Sequence, residues 1–384
     1  MTTDSPLDPR HFDDLLREAS DLPYGDAKMS LLDRAVRMAD AAQDLEKAYE
    51  ARYEYVQAGH FSGFETESLV AFSWLLAQTD ADPTRHSEVR LLWPYKWIIS
   101  DLPNLPNVTF EKIEELFADF KRRYDKFGAS PRTYHYFRML WQSHRGDHDA
   151  VRSEREKYRR TDRDYHCDCD ACEQNHEVTV AIGLGDHAEA LELAKPILAG
   201  GMNCATVPDT TYADILVPLV EREKYDLARH YHETGYRRVV GKRDFLSSIA
   251  RHLTYAARVG RFETCAEIIE RHFSMADGTK SRIERFNFLI GVWVYAAKLR
   301  DSGTDFVPLR TELNVTRDSS GSVSTSALAQ YAESELTSSA ASFDKRNRTS
   351  SFAGLLDQTR DWIAAPPVPF PNRPVMGEPE GEPD

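Results

Sequence analysis

Gly146-Asp147-His148, Gly185-Asp186-His187-Ala188-Glu189-Ala190 and Gly260-Arg261-Phe262, the last leading to Cys265, are copies of one short pattern. A weaker copy, Glu223-Lys224-Tyr225 leading to Ala228, lies between the second and third. The Gly-to-Gly spacings are 39 and 75 residues, the longer being two steps of roughly 37 to 38. A period of that length predicts stacked helical hairpins, because one helix–turn–helix unit cannot bury its apolar face alone. First helices of the hairpins are expected at 131–143, 170–184, 210–222 and 244–259. Their partners are expected at 147–158, 186–199, 225–239 and 262–273. Val151, Ala190, Ala228 and Cys265 fall at one register, and three of the four are small, as a close approach between paired helices requires.

Working toward the N-terminus, Met29, Leu32, Ala35, Val36 and Ala39 share one helical face. A helix over 43–58, a break at Gly59-His60-Phe61-Ser62-Gly63, a helix over 64–78 and a stop at Asp82-Pro83 make another hairpin. The aromatic stretch 89–106 reads as a core helix, with a surface of binding aromatics as the sharper alternative. Thr109 caps an amphipathic helix with acids at its start and Lys121-Arg122-Arg123 near its end, where the helix dipole favours each charge. Toward the C-terminus a strong helix is expected at 282–299, a Ser/Gly-rich loop at 318–326, and helices at 326–343 and 355–363. The organisation expected is a polar lead over 1–25, with a short helix at 12–19, and a repeat domain over 26–302. A capping region over 303–363 and a disordered Pro/Glu-rich tail over 364–384 complete it.

Gly185-Asp186 at a hairpin turn, Ala190 five residues after that Gly, the similar Gly260 and Cys265, and Asp82-Pro83 resemble a tetratricopeptide-type repeat. Segments such as Leu92-Trp93-Pro94-Tyr95-Lys96-Trp97 are also similar to those of uncharacterised bacterial repeat proteins. The resemblance spans about residues 40–299, with a longer period than the family's 34. It implies an all-α, right-handed α-solenoid of roughly seven hairpins whose concave face holds a protein or peptide partner. It implies no catalysis.

The 384 residues carry a formal net charge of −14, which argues against nonspecific binding to nucleic acid or anionic membranes. No apolar run approaches about 18 residues, so no membrane span is expected. The polar start Met1-Thr2-Thr3-Asp4-Ser5 lacks the features of a signal peptide, and five Cys do not make a disulfide framework for this length. The expectation is a cytoplasmic protein. No Gly-rich phosphate loop, HExxH or nucleophile elbow occurs, so a non-catalytic protein is expected.

One stretch carries chemistry. His166-Cys167-Asp168-Cys169-Asp170-Ala171-Cys172, followed by His176, places five candidate zinc ligands in 11 residues: His166, Cys167, Cys169, Cys172 and His176. A helix from Asp170 would set Cys172 and His176 one turn apart, with Cys169 folding back over its start. Structural zinc sites usually join two segments distant in sequence, and Cys204, 32 residues beyond Cys172, has no ligand neighbour in its own stretch. Three readings stay open: a zinc site, buried or idle thiols, and a redox pair at Cys169 and Cys172. The alternative function is therefore a zinc-binding or redox-responsive regulator.

Overall fold

The computed structural model describes residues 9–371. It is all-helical apart from one antiparallel pair, Phe306–Val307 with Val323–Ser324. The chain divides into two compact units. Unit 1 comprises Met1–Cys167, Gly278–Ile283 and Ser342–Thr349, and unit 2 comprises Asp168–Asp277, Glu284–Ala341 and Ser350–Asp384.

Unit 1 holds α1 (Pro9–Asp21), α2 (Asp26–Ala41), α3 (Leu45–Ser62), α4 (Glu65–Ala81), α5 (Val89–Asp101), α6 (Phe110–Lys126), α7 (Pro131–Arg145) and α8 (His148–Arg159). Unit 2 holds α9 (Asp170–Gly183), α10 (His187–Leu198), α11 (Asp209–Asp214), α12 (Leu216–Glu221), α13 (Tyr225–Val239), α14 (Leu246–Arg258) and α15 (Phe262–Asp277). Most of α16 (Arg282–Asp301) and α17 (Thr325–Asn347) and all of α18 (Ser351–Ala364) also belong to unit 2. Consecutive helices pack on one another, α2 on α3, α3 on α4, α7 on α8 and α9 on α10. No helix among the described residues is long and apolar enough to cross a membrane.

The repeated sequence pattern is a hairpin turn with a physical division of labour. Gly146 (φ 71°) and Gly185 (φ 79°) take the left-handed conformation that ends α7 and the segment after α9. The Asp that follows caps the next helix: Asp147 accepts from Ala150 N at 3.2 Å and Asp186 from Glu189 N at 2.8 Å. The weak copy keeps the same backbone at a cost. Glu223 adopts φ 56° without being Gly, and no side chain caps α13. Val151, Ala190, Ala228 and Cys265, equivalent in the pattern, are all buried.

Two elements differ from the sequence expectation in an instructive way. The helix expected at 210–222 is two short ones, α11 and α12, joined at Ile215. Pro218 lacks the N–H that would bond the Asp214 carbonyl, and its ring crowds that carbonyl. Residues 365–371, expected to begin a disordered tail, run as an extended segment against unit 2, with Val368 N donating to Arg258 O at 2.9 Å. The remainder of the expected tail, 372–384, and residues 1–8 of the N-terminal lead lie outside the described residues.

Candidate metal centre

The start of α9 is built by a cysteine. Cys169 takes an extended conformation (φ −63°, ψ 153°) as the N-cap, and its Sγ accepts a hydrogen bond from Cys172 N at 3.3 Å. That bond turns the Cys169 sulphur over the first helical turn, where Cys172 lies. A third sulphur arrives from the segment after α10. Gly200, at φ 79°, reverses the chain, and Cys204 N donates to Val207 O at 2.9 Å, closing a tight loop. Ala171, Ile197 and Val207 form a small buried cluster, with Met202 and Cys204 packed against it. This apolar contact seats the loop on the start of α9.

The result is a convergence of thiols. Cys172 Sγ and Cys204 Sγ are 3.4 Å apart, and the sulphurs of Cys169, Cys172 and Cys204 all lie within 4.8 Å of one another. Sulphurs bound at about 2.3 Å to one tetrahedral ion stand about 3.8 Å apart, so these spacings bracket what zinc requires. Cys169 is exposed and the other two are half-buried, which leaves one side of the cluster open to solvent. All five cysteines are free thiols.

Burial raises the Cys172 thiol well above its ordinary pKa, and the neighbouring Cys169 and Cys204 add to the effect. Burial also acts on Cys204, but hydrogen bonds from the Thr206 backbone and hydroxyl, and from the Val207 backbone, outweigh it and hold the pKa below the usual thiol value. Of the two thiols, Cys172 therefore holds its proton the more tightly.

No protein-family model matches this chain, and it has no significant match among curated proteins.

Of the five candidate ligands, the structure brings together Cys169 and Cys172 and adds Cys204. His166, Cys167 and His176 are not in that group. In unit 1 the Cys167 sulphur is buried, 3.6 Å from Thr133 Oγ1, and accepts from Asp164 N at 3.4 Å. The His166 carbonyl accepts from Lys96 Nζ at 2.8 Å while its ring meets the edge of Tyr124. In unit 2 His176 lies on α9, where burial lowers its pKa against the opposing pull of Asp168, Asp214 and Glu173. Cys204 escaped the reading by spacing because its stretch holds no second ligand. The signal that pointed to it was the rule that structural zinc sites join segments distant in sequence.

Proposed function

We propose that the protein is a non-catalytic scaffold for a protein or peptide partner, built of hairpins stacked in the tetratricopeptide manner, with a zinc ion held by Cys169, Cys172 and Cys204. The observation that carries the metal assignment is the convergence of three sulphurs from two segments of the chain within 4.8 Å. Zinc there ties the loop after α10 to the start of α9 and leaves a fourth position for water or a partner's side chain. The Gly–Asp hairpin turns support the stacked-hairpin assignment, and the free thiols suit a reducing cytoplasm.

The test is the metal content of the purified full chain. About one zinc per chain is expected, retained in Cys167→Ser, lost in Cys204→Ser, and lost together with a fall in melting temperature. Metal-free protein after expression with added zinc, or equal metal in Cys204→Ser, removes the site. The 3.4 Å approach of Cys172 and Cys204 favours one second reading. A peroxide would oxidise the two thiols to a disulfide, both protons and both electrons passing to the peroxide. Intact mass then falls by about 2 Da and alkylation of both residues is lost. Partner capture with the full chain under mild cross-linking tests the scaffold assignment independently of the thiols.

A further inference from the structure

Beyond α18 the chain runs Ala365-Pro366-Pro367-Val368-Pro369-Phe370-Pro371. Four prolines in seven residues hold φ near −65° and favour an extended backbone that needs no internal hydrogen bonds. The burial alternates accordingly: Val368 and Phe370 are half-buried, while Pro367 and Pro369 are exposed. Lys298 launches the segment by donating to the carbonyls of Ile363 at 3.2 Å and Ala365 at 2.6 Å.

The surface beneath is specific in its chemistry. Val368 N donates to the Arg258 carbonyl at 2.9 Å, one of the last-turn carbonyls that α14 leaves without an intrahelical partner. The Phe370 ring lies beneath two guanidinium groups, Arg229 at 4.7 Å and Arg261 at 5.3 Å from its centroid. Arg229 also donates to the Pro371 carbonyl. Pro367 rests over Gly260, where an added Cβ would meet its ring at 3.5 Å. Val368 and Phe370 pack on a core that includes Ala228, Tyr255 and Val259.

We infer that this groove, formed by α13, α14 and the turn after α14, is a binding site for an extended, proline-flanked segment of a partner protein with the pattern aliphatic–Pro–aromatic–Pro, and that residues 366–371 fill it as a competing ligand in cis. The inference rests on the scaffold reading above and names the class of partner. The segment attaches through one backbone amide, one carbonyl and two half-buried side chains, which is a weak hold. Tethering keeps it in place by high local concentration, so a partner of matching chemistry must displace it.

The experiment is fluorescence anisotropy with a labelled synthetic peptide of residues 365–375. It is titrated with the full chain and with a full chain carrying Val368→Ser and Phe370→Ala, which frees the groove. The expected result is binding at least about tenfold tighter to the substituted chain than to the wild type. Adding Arg229→Glu to the substituted chain abolishes that binding, and a peptide with Ala for Phe370 binds neither chain. Circular dichroism melts of each variant establish that it is folded. Hydrogen exchange, which needs no variant, should show the Val368 amide protected in the wild type and released by excess peptide. Equal affinity for both chains, no binding to a folded substituted chain, or an unprotected Val368 amide overturns the inference. Concentration-dependent dimerisation that is lost with Phe370→Ala overturns it too, assigning the groove to a second copy's tail. Zinc content, and partner capture with the wild-type chain, are measured without these substitutions, so failure here leaves that reading standing.

Discussion

The two units solve the burial of polar groups differently. In unit 1 the core is aromatic: Phe72, Tyr95, Phe120, Tyr124 and Phe137 meet ring to ring at centroid distances of 4.2 to 6.0 Å. Two large cations buried in this unit, Arg123 and Arg346, are satisfied internally. Arg123, 3% exposed, bonds Asp80, Glu88 and Asp119 at 2.7 to 2.8 Å. Arg346 donates to the carbonyls of Leu102, Pro103 and Leu105 in the turn that follows α5. In unit 2 the core around α9 to α14 is small and aliphatic, led by Ala181, Ala190, Ala194 and Ala228. Its polar chemistry lies elsewhere, in the thiols beside α9, a buried histidine pair and the arginines over Phe370. The contrast teaches where binding can reside. Polar groups consumed by internal bonds hold a fold together, and those left at a partly open surface can meet a ligand.

Breaking unit 1's arrangement should have the largest effect. Arg123→Met removes the buried cation shared by Asp80, Glu88 and Asp119, leaving buried Glu88 with Lys126 and Asp119 with Arg122 and the Tyr95 hydroxyl, and we expect a loss of about 3 kcal/mol in urea unfolding. A loss below about 1 kcal/mol would mean that the network is solvated, and the contrast with unit 2 would fail.

The next effect sharpens unit 2. His232 and His252 are buried with their Nδ1 atoms 3.2 Å apart. Burial lowers His232 to about 4 and His252 well below its ordinary value, the latter aided by His232 and Arg251. Folded-state pKa values are thus depressed below about 6.5 for the unfolded chain. The stability tied to these neutral rings is complete above about pH 6.5 and is lost as pH falls toward 4. Roughly 2 kcal/mol from His232 should be gone by pH 5, with a further loss in the same direction from His252, read as unfolding free energy between pH 7.5 and 5. His144 of unit 1, lowered to about 3 by burial and then by Arg346, should contribute a parallel loss. NMR titration assigns each component, and a His232 ring that titrates near 6.5 would remove the pair from the account.

The smallest expected effect concerns the turn that departs from its siblings. Glu223→Gly supplies the residue that φ 56° favours and should stabilise the chain by about 0.5–1 kcal/mol in thermal melts. A destabilised variant would show that the Glu223 side chain contributes more than its backbone strain costs.

The sequence by itself determined the helices and most hairpin turns. These depend on bonds within a few residues: a side-chain cap at Asp147 or Asp186, a left-handed Gly146 or Gly185, and an apolar stripe at helical spacing. Even the break at Pro218 is local chemistry, although the surrounding pattern reads as one helix. Of the thiol site, Cys169 and Cys172 were legible because a helix start sets their spacing. Cys204 was not, because its approach depends on how the loop after α10 seats on α9 through Ala171, Ile197 and Val207. The same holds for residues 365–371, whose proline-rich composition reads as unstructured until the Arg258 carbonyl and the arginines around Phe370 are placed. Only the tertiary structure decided those encounters, since periodicity specifies which face of a helix is buried and not which distant segment comes to cover it.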